Sequence, residues 1–322
     1  MKVSFIVPCL NEEKTISSLL DALNQQTFPS KDLEIIIADG FSTDATRQII
    51  CSFIQKNPRI NLKVVNNPAR SIPAAINIAA KEACGKYLLR MDAHAFPATD
   101  YAEKCYENLE KGIGDNVGGV CIMIPGEDTW LGKSIAEAVS HPLGVGDALY
   151  RFAKKSAYVD TVPFGAFRRD LFFEIGGFNE NLQSNEDYEF NTRLRQKGYR
   201  IFLDASIKVA YSARSNLPEL ARQYFRYGFW KYRMLINNPR SLRLRQALPP
   251  LFASGLITLL FFSVFFDFAR ILLLTIISLY FLTLAVFAFH QSLRKKNFSL
   301  IFGMPLAIAT MHLSWGLGFL CS

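Results

Sequence analysis

Carboxylates, amides, an arginine and a histidine recur in clusters through the first third of the chain. Pro8, Asn11, Glu12 and Glu13 form one cluster, and Asp39, Gly40, Ser42, Thr43 and Asp44 a second. Asn66, Asn67, Pro68 and Arg70 form a third, and Asp92, Ala93 and His94 a fourth. A carboxylate such as Asp39 accepts hydrogen bonds from a base N–H or a ribose hydroxyl. The planar fork of Arg70 suits phosphate oxygens. Asp92 and His94, two residues apart, can share a divalent cation with a diphosphate. Together this chemistry fits a nucleoside diphosphate. Neither GxGxxG nor GxxxxGK[ST] follows the first cluster, so the dinucleotide fingerprint and the phosphate loop are excluded. Single residues also have structural readings: Asp44 suits a helix N-cap and Gly40 a turn.

The elements between the clusters explain how they could meet. Val3–Val7, Glu34–Ala38, Leu62–Val65 and Lys86–Met91 read as strands, and Val117–Ile124 as a fifth. Glu12–Gln26, Asp44–Gln55, Ile72–Ala83 and Asp100–Lys111 read as the intervening helices. Alternation of this kind predicts an α/β fold, a Rossmann-like, mostly parallel sheet flanked by helices. Ligands of such sheets bind outside the carboxyl ends of the strands, and each cluster follows a strand.

The 322 residues are half apolar and carry a net charge of +8. Residues 240–322 hold seven basic residues against one acid, Asp267, so most of the excess sits in the tail. It reads as membrane topology and not as a nucleic-acid surface. Three apolar runs, 248–266, 271–289 and 298–320, are each long enough to span a hydrocarbon core of about 30 Å. Arg240, Arg243 and Arg245 precede the first run, and Arg294, Lys295 and Lys296 separate the last two. The positive-inside rule places residues 1–247 in the cytoplasm and the C-terminus outside. His312 and Trp315 read as helix-packing and interfacial residues. Residues 1–239 are expected to form a catalytic domain and 240–322 a membrane unit. Within the former, 217–239 interleaves Arg222, Arg226, Lys231 and Arg233 with six aromatic residues. That pattern suits an amphipathic helix at the headgroup level, or a helix on the sheet with a solvated basic face. The six cysteines show no CxxC spacing and read as buried thiols of a reducing cytosol. Met1–Leu10 reads as a first strand, not a signal peptide.

Five blocks in order resemble the family-2 glycosyltransferases of GT-A fold. They are Val3–Glu13; Ile37–Asp44, the counterpart of a DGSTD stretch; Arg90–Ala95, at the DxD position; Gly176-Gly177-Phe178 with Asn185-Glu186-Asp187; and Gln223–Tyr227, resembling QxxRW. Asp92–Ala95, Asp160–Arg169 and Arg222–Gly228 are similar, more narrowly, to succinoglycan-type exopolysaccharide glycosyltransferases. His94 stands where most members have the second Asp, and Tyr227 where they have Trp.

The resemblance implies inverting transfer of a sugar from a nucleotide-sugar donor, UDP-glucose being expected, to a polyprenyl-diphosphate-linked glycan. It implies Asp187 as the base. It implies Pro8, Asn11, Glu12, Asp39, Arg70, Asp92, Gln223 and Arg226 as donor contacts. Asp92 and His94 would hold Mn²⁺ or Mg²⁺. The expected setting is the inner (cytoplasmic) membrane, multi-pass, in exopolysaccharide or cell-surface polysaccharide biosynthesis. A polyprenyl-phosphate glycosyl donor synthase is the alternative, and a non-catalytic membrane-anchored partner a further one.

Overall fold

The computed structural model describes residues 1–322, the side chain of Arg240 excepted. They form two compact units: Met1–Ile122 with Phe152–Tyr211, and Met123–Arg151 with Ser212–Ser322. The boundary expected between 239 and 240 falls within the second unit.

In the first unit strands and helices alternate as the sequence predicts. β1 (Val3–Cys9), α1 (Ile16–Asn24), β2 (Leu33–Asp39), α2 (Thr46–Lys56), β3 (Leu62–Asn66), α3 (Ile72–Glu82) and β4 (Tyr87–Arg90) follow in order. β1 pairs in parallel with β2 and β4, and β2 with β3. After β4 the pattern changes. β5 (Ala95–Pro97), α4 (Tyr101–Glu110), β6 (Asn116–Ile124), β7 (Ala157–Tyr158), β8 (Ala166–Arg168), α7 (Arg169–Glu174), α8 (Glu186–Gln196) and β9 (Ile201–Ser212) complete the unit. The nine-stranded sheet runs β3-β2-β1-β4-β8-β6-β9-β5, with β7 also on β9. The β4–β8, β6–β8, β5–β9 and β7–β9 pairs are antiparallel. The sheet is therefore mixed, parallel only where helical crossovers return the chain to the same end. Its core packs α3, α7 and α8 on β1, β2, β4 and β8 through Ile36, Ile76, Leu88, Phe167, Phe172 and Phe190. Buried Glu34 ties β1, β2 and the turn into β4: it accepts from Ser4 Oγ at 2.5 Å, Cys84 N at 2.6 Å and Gly85 N at 3.0 Å. Cys9, Cys105 and Cys121 are buried, whereas Cys51, Cys84 and Cys321 are exposed, contrary to expectation. Burial pushes the Cys9 and Cys105 thiols up, which keeps them protonated and inert.

The second unit holds α5 (Trp130–Ala138), α6 (Pro142–Val145), α9 (Leu217–Asn237), α10 (Leu244–Ser263), α11 (Asp267–Lys295) and α12 (Leu300–Leu320). The last three are long and apolar enough to cross a membrane. α12 packs against α5, α9, α10 and α11. Its contact with α9 is backbone to backbone, through Gly228 facing the Trp315 carbonyl and Gly318 facing the Phe225 carbonyl. Small residues permit this approach, as in helix pairs within membranes. Lys231, expected on a basic face, is buried instead and donates to the Ser241 carbonyl at 3.1 Å and its Oγ at 3.2 Å. His141 caps α6, its Nδ1 accepting from Leu143 N.

Gly228→Ala and Gly255→Ala should act in opposite directions. Alanine improves helix propensity by about 1 kcal/mol, and Gly255 borders open space. At Gly228 the new methyl meets the Trp315 carbonyl, and overpacking of about 1–3 kcal/mol outweighs that gain. Thermal melting of the detergent-held chain should fall for Gly228→Ala and hold or rise for Gly255→Ala.

Candidate active site

The loops after β1 and β2 are tied to each other. Asn11 N donates to Ser42 Oγ at 2.9 Å, and Thr43 N to Asn11 Oδ1 at 2.8 Å. Glu12 N donates to Thr46 Oγ1 at 2.8 Å, Glu13 N to Asp44 Oδ2 at 3.1 Å, and Ala45 N to Glu13 Oε2 at 3.1 Å. Asp39 is wholly buried at the end of β2. Its carboxylate accepts from Ser42 Oγ at 2.5 Å, Ser42 N at 3.1 Å and Arg47 Nε at 2.5 Å. Arg47 lies on α2, and its Nη2 also reaches Asn66 Oδ1 at 2.7 Å, so it joins the ends of β2 and β3. Arg70 closes the ring of loops by donating to the Gly40 carbonyl at 2.9 Å and the Phe41 carbonyl at 3.1 Å. Its guanidinium thus first holds a loop, where the sequence suggested a phosphate contact.

Pro8 is buried within β1 opposite Ala38. The β1–β4 register ends at Ile6–Arg90, so Pro8 lies past the point where β4 needs a backbone donor. Asn11, Phe41, Arg70 and Asn185 all have φ between 54° and 62°. Non-glycine residues in this region are uncommon and collect at functional sites.

β4 delivers Arg90, Asp92 and His94. Glu12 Oε1 lies 2.9 Å from His94 Nδ1, and Thr15 donates to Glu12 Oε2 at 2.6 Å. His94 Nε2 lies 3.0 Å from the Tyr211 hydroxyl. The β5–β9 register, Ala95 opposite Tyr211, brings that phenol to the imidazole. Asp92 meets Arg90 Nη2 at 3.2 Å, and Arg90 Nη2 reaches Glu186 Oε1 at 2.8 Å. Glu186 and Asp187 open α8, preceded by Asn185 in the left-handed region. Asp187 is partly buried, and its Oδ1 accepts from Tyr188 N at 2.7 Å. Burial, then the negative charge of Glu186, pushes the Asp187 carboxyl up to about 6, against the opposing pull of Arg90. The glycine turn Gly176-Gly177, with φ of 91° and 67°, brings Phe178 under Arg90, whose guanidinium lies 5.5 Å from the ring centre.

The first unit therefore gathers Asn11, Glu12, Asp39 and Arg70 around interlocked loops, and links Asp92 through Arg90 to the Glu186-Asp187 turn. Gln223, partly buried, and Arg226, exposed, lie on α9 in the second unit. Arg47, Arg90 and Tyr211 carry much of this geometry and were not singled out from sequence. A charge ending the otherwise apolar strand Tyr87–Arg90 was the available signal for Arg90. Nothing local marks Tyr211. Asp92 and His94 offer one carboxylate and one imidazole. Both ring nitrogens of His94 already meet partners, Glu12 and Tyr211, and Asp92 faces Arg90, so the imidazole must exchange a partner before the pair can ligate a cation. Among the described residues no group of three or more His, Cys, Asp or Glu could hold a metal unaided.

Residues 4–176 match the sequence profile of Glycosyl transferase family 2. The chain belongs to that family. Succinoglycan biosynthesis protein ExoA of Rhizobium meliloti is 33% identical over 246 residues, which are 76% of this chain and 73% of that protein. A Methanococcus voltae enzyme, dolichyl N-acetyl-alpha-D-glucosaminyl phosphate 3-beta-D-2,3-diacetamido-2,3-dideoxy-beta-D-glucuronosyltransferase, is 29% identical over 240 residues, covering 72% and 74%. The mannosyltransferase PcManGT from Pyrobaculum calidifontis, solved with GDP-Man and Mn²⁺, has a TM-score of 0.65 at 20% identity, covering 97% of this chain and 87% of its own. Staphylococcus aureus TarS 1–349 with UDP has a TM-score of 0.52 at 18% identity, covering 97% and 90%. The fold is GT-A, and the protein is a glycosyltransferase.

The raised carboxyl of Asp187 supplies a test of its part in turnover. A carboxyl raised to about 6 is ionised above that pH and protonated below it. If ionised Asp187 takes a proton in turnover, kcat should fall as pH drops through about 6, by about tenfold per unit. Asp187→Asn should abolish that limb, which a pH–rate profile at saturating donor would read.

Proposed function

We propose that Asp187 is the base of an inverting sugar transfer from a nucleotide-sugar donor to a lipid-linked glycan at a membrane. The observation that carries this reading is a carboxylate with a raised pKa, joined through Glu186 and Arg90 to Asp92. In a single in-line displacement the acceptor hydroxyl must lose its proton as it attacks the anomeric carbon. Asp187 would take that proton. Asn11, Glu12 and the loop held by Asp39 and Arg70 would orient the nucleoside; Pro8 would shape the floor from within β1. The departing diphosphate gains charge and needs cations aimed at it. Asp92 and His94 would hold Mn²⁺ or Mg²⁺, which screens that charge when bound. Gln223 and Arg226 are assigned to the diphosphate by their block alone.

The relatives' names support the finer reading. One concerns succinoglycan biosynthesis, and another a sugar added to a dolichyl-phosphate-linked acceptor. Polysaccharide biosynthesis on a polyprenyl-diphosphate-linked glycan is the proposed role, with a UDP-linked hexose, glucose first, as donor. Three apolar helices support a multi-pass protein of the cytoplasmic membrane, its first unit facing the cytoplasm.

The test is nucleotide release by the detergent-held chain across a panel of sugar nucleotides, with extracted lipid-linked glycans and with Mn²⁺ or a chelator. One donor should dominate, and the lipid-diphosphate glycan should lengthen by one sugar. Asp187→Asn should lower kcat by about 10²–10⁴-fold with little change in donor KM. A single sugar on a lipid monophosphate would instead identify a glycosyl donor synthase.

A further inference from the structure

We infer that Arg90 is a positioning residue, holding Glu186 and so the Asp187 turn in register with Asp92; this rests on Asp187 being the base. The guanidinium is buried, its side chain only 6% exposed, and it contacts two carboxylates from different elements. Asp92 Oδ1 takes Nε at 3.3 Å and Nη2 at 3.2 Å. Glu186 Oε1 takes Nη2 at 2.8 Å, and that side chain is 8% exposed. The ring of Phe178 lies 5.5 Å from the cation. The remaining nitrogen, Nη1, is buried without a partner. Arg90, Asn116 and Asp187 all line a cavity of about 10 Å³, room for one water. Asn116 Oδ1 is likewise unpartnered, and its Nδ2 is held by Asn191 Oδ1 at 2.6 Å. One guanidinium edge thus clamps two carboxylates, and the other is left open on a cavity that Asp187 shares.

Charge sharpens the assignment. Of the largest charge effects on Asp187, Glu186 beside it on α8 and Asp92 beyond β4 push its carboxyl up, and Arg90 on β4 pulls it down. Neutralising Arg90 or Glu186 therefore biases Asp187 in opposite directions, though both break the same ion pair. A purely structural contact has no such signature.

The experiment compares Arg90→Gln, Arg90→Lys, Glu186→Gln and the double Arg90→Gln/Glu186→Gln. It uses the full chain in detergent, with the donor selected by the panel above. A displaced base should lower kcat by about 100-fold in each glutamine variant, with donor KM little moved in Glu186→Gln. The double variant should be no slower than the slower single one, because both act through one contact. Arg90→Lys should recover part of kcat. The acidic limb of kcat should move up in Arg90→Gln and down in Glu186→Gln. Glu186→Gln preserves shape, and a melting curve for each variant identifies any that fails to fold. Wild-type kcat in folded Glu186→Gln, losses that multiply in the double variant, or limbs moving the same way would overturn the role of Arg90 alone. A fully active Asp187→Asn would overturn the base and the positioning role together.

Discussion

A single buried guanidinium, flanked by two carboxylates, sets the geometry of the first unit's candidate site. Arg90 ends β4, between β1 and β8, where three successive residues are apolar and wholly enclosed. A charge there is tolerated only if it is paired, and Asp92 and Glu186 supply the pairs. Those carboxylates come from a strand-end loop and from the first turn of α8, nearly a hundred residues apart. An apolar substitute of similar volume would often be as stable. What the ion pairs add is direction: fixed distances between the carboxylate nearest the proposed diphosphate and the turn bearing Asp187.

The strand-end loops face a related constraint. Asn11, Phe41 and Arg70 sit in left-handed conformations that cost roughly 1–2 kcal/mol each for residues with a Cβ. Such conformations persist only where neighbours over-determine them. Here the neighbours are the loops themselves. Arg70 holds the carbonyls of Gly40 and Phe41, and Asn11 is bonded through both its backbone and its side chain to Ser42 and Thr43. Asp39, enclosed beneath them, is held by Ser42 and Arg47. The loops are therefore shaped in advance by their own hydrogen bonds, which leaves little loop ordering to oppose binding of any ligand there.

The parallel half of the sheet was legible because its first three strands are each followed by a helix with its own local period. Of the antiparallel half only β6 was, as the strand read at Val117–Ile124. β5 has three residues and β7 two, too short for a periodic signal. The pairing of Ala95 with Tyr211 joins residues more than a hundred positions apart, so the phenol beside His94 had no local mark. At the site, residue types were readable and partners were not. Asp39 and Arg70 stand at the expected strand ends, yet both use contacts within the protein that composition and spacing do not reveal. Asp187 was reached through resemblance; its raised pKa comes from burial first and from Glu186 next, with Arg90 opposing, and neither the burial nor the approach of Arg90 is visible in the sequence.

The second unit shows the same limit in apolar surroundings. Hydropathy finds the three long helices but is blind to what they enclose. Polar groups among such helices are costly unless partnered. His312 on α12 meets the Tyr280 hydroxyl of α11 at 2.9 Å and the Leu143 carbonyl of α6 at 2.9 Å. Gln291 on α11 donates to Glu137 of α5, which Lys295 also pairs at 3.5 Å. The indole of Trp315 donates to the Gln246 carbonyl at 3.2 Å. These ties draw α5 and α6, ordinary in composition, into one unit with the apolar tail. They also account for His312 and Trp315 as packing residues, so neither is needed to explain recognition of a lipid.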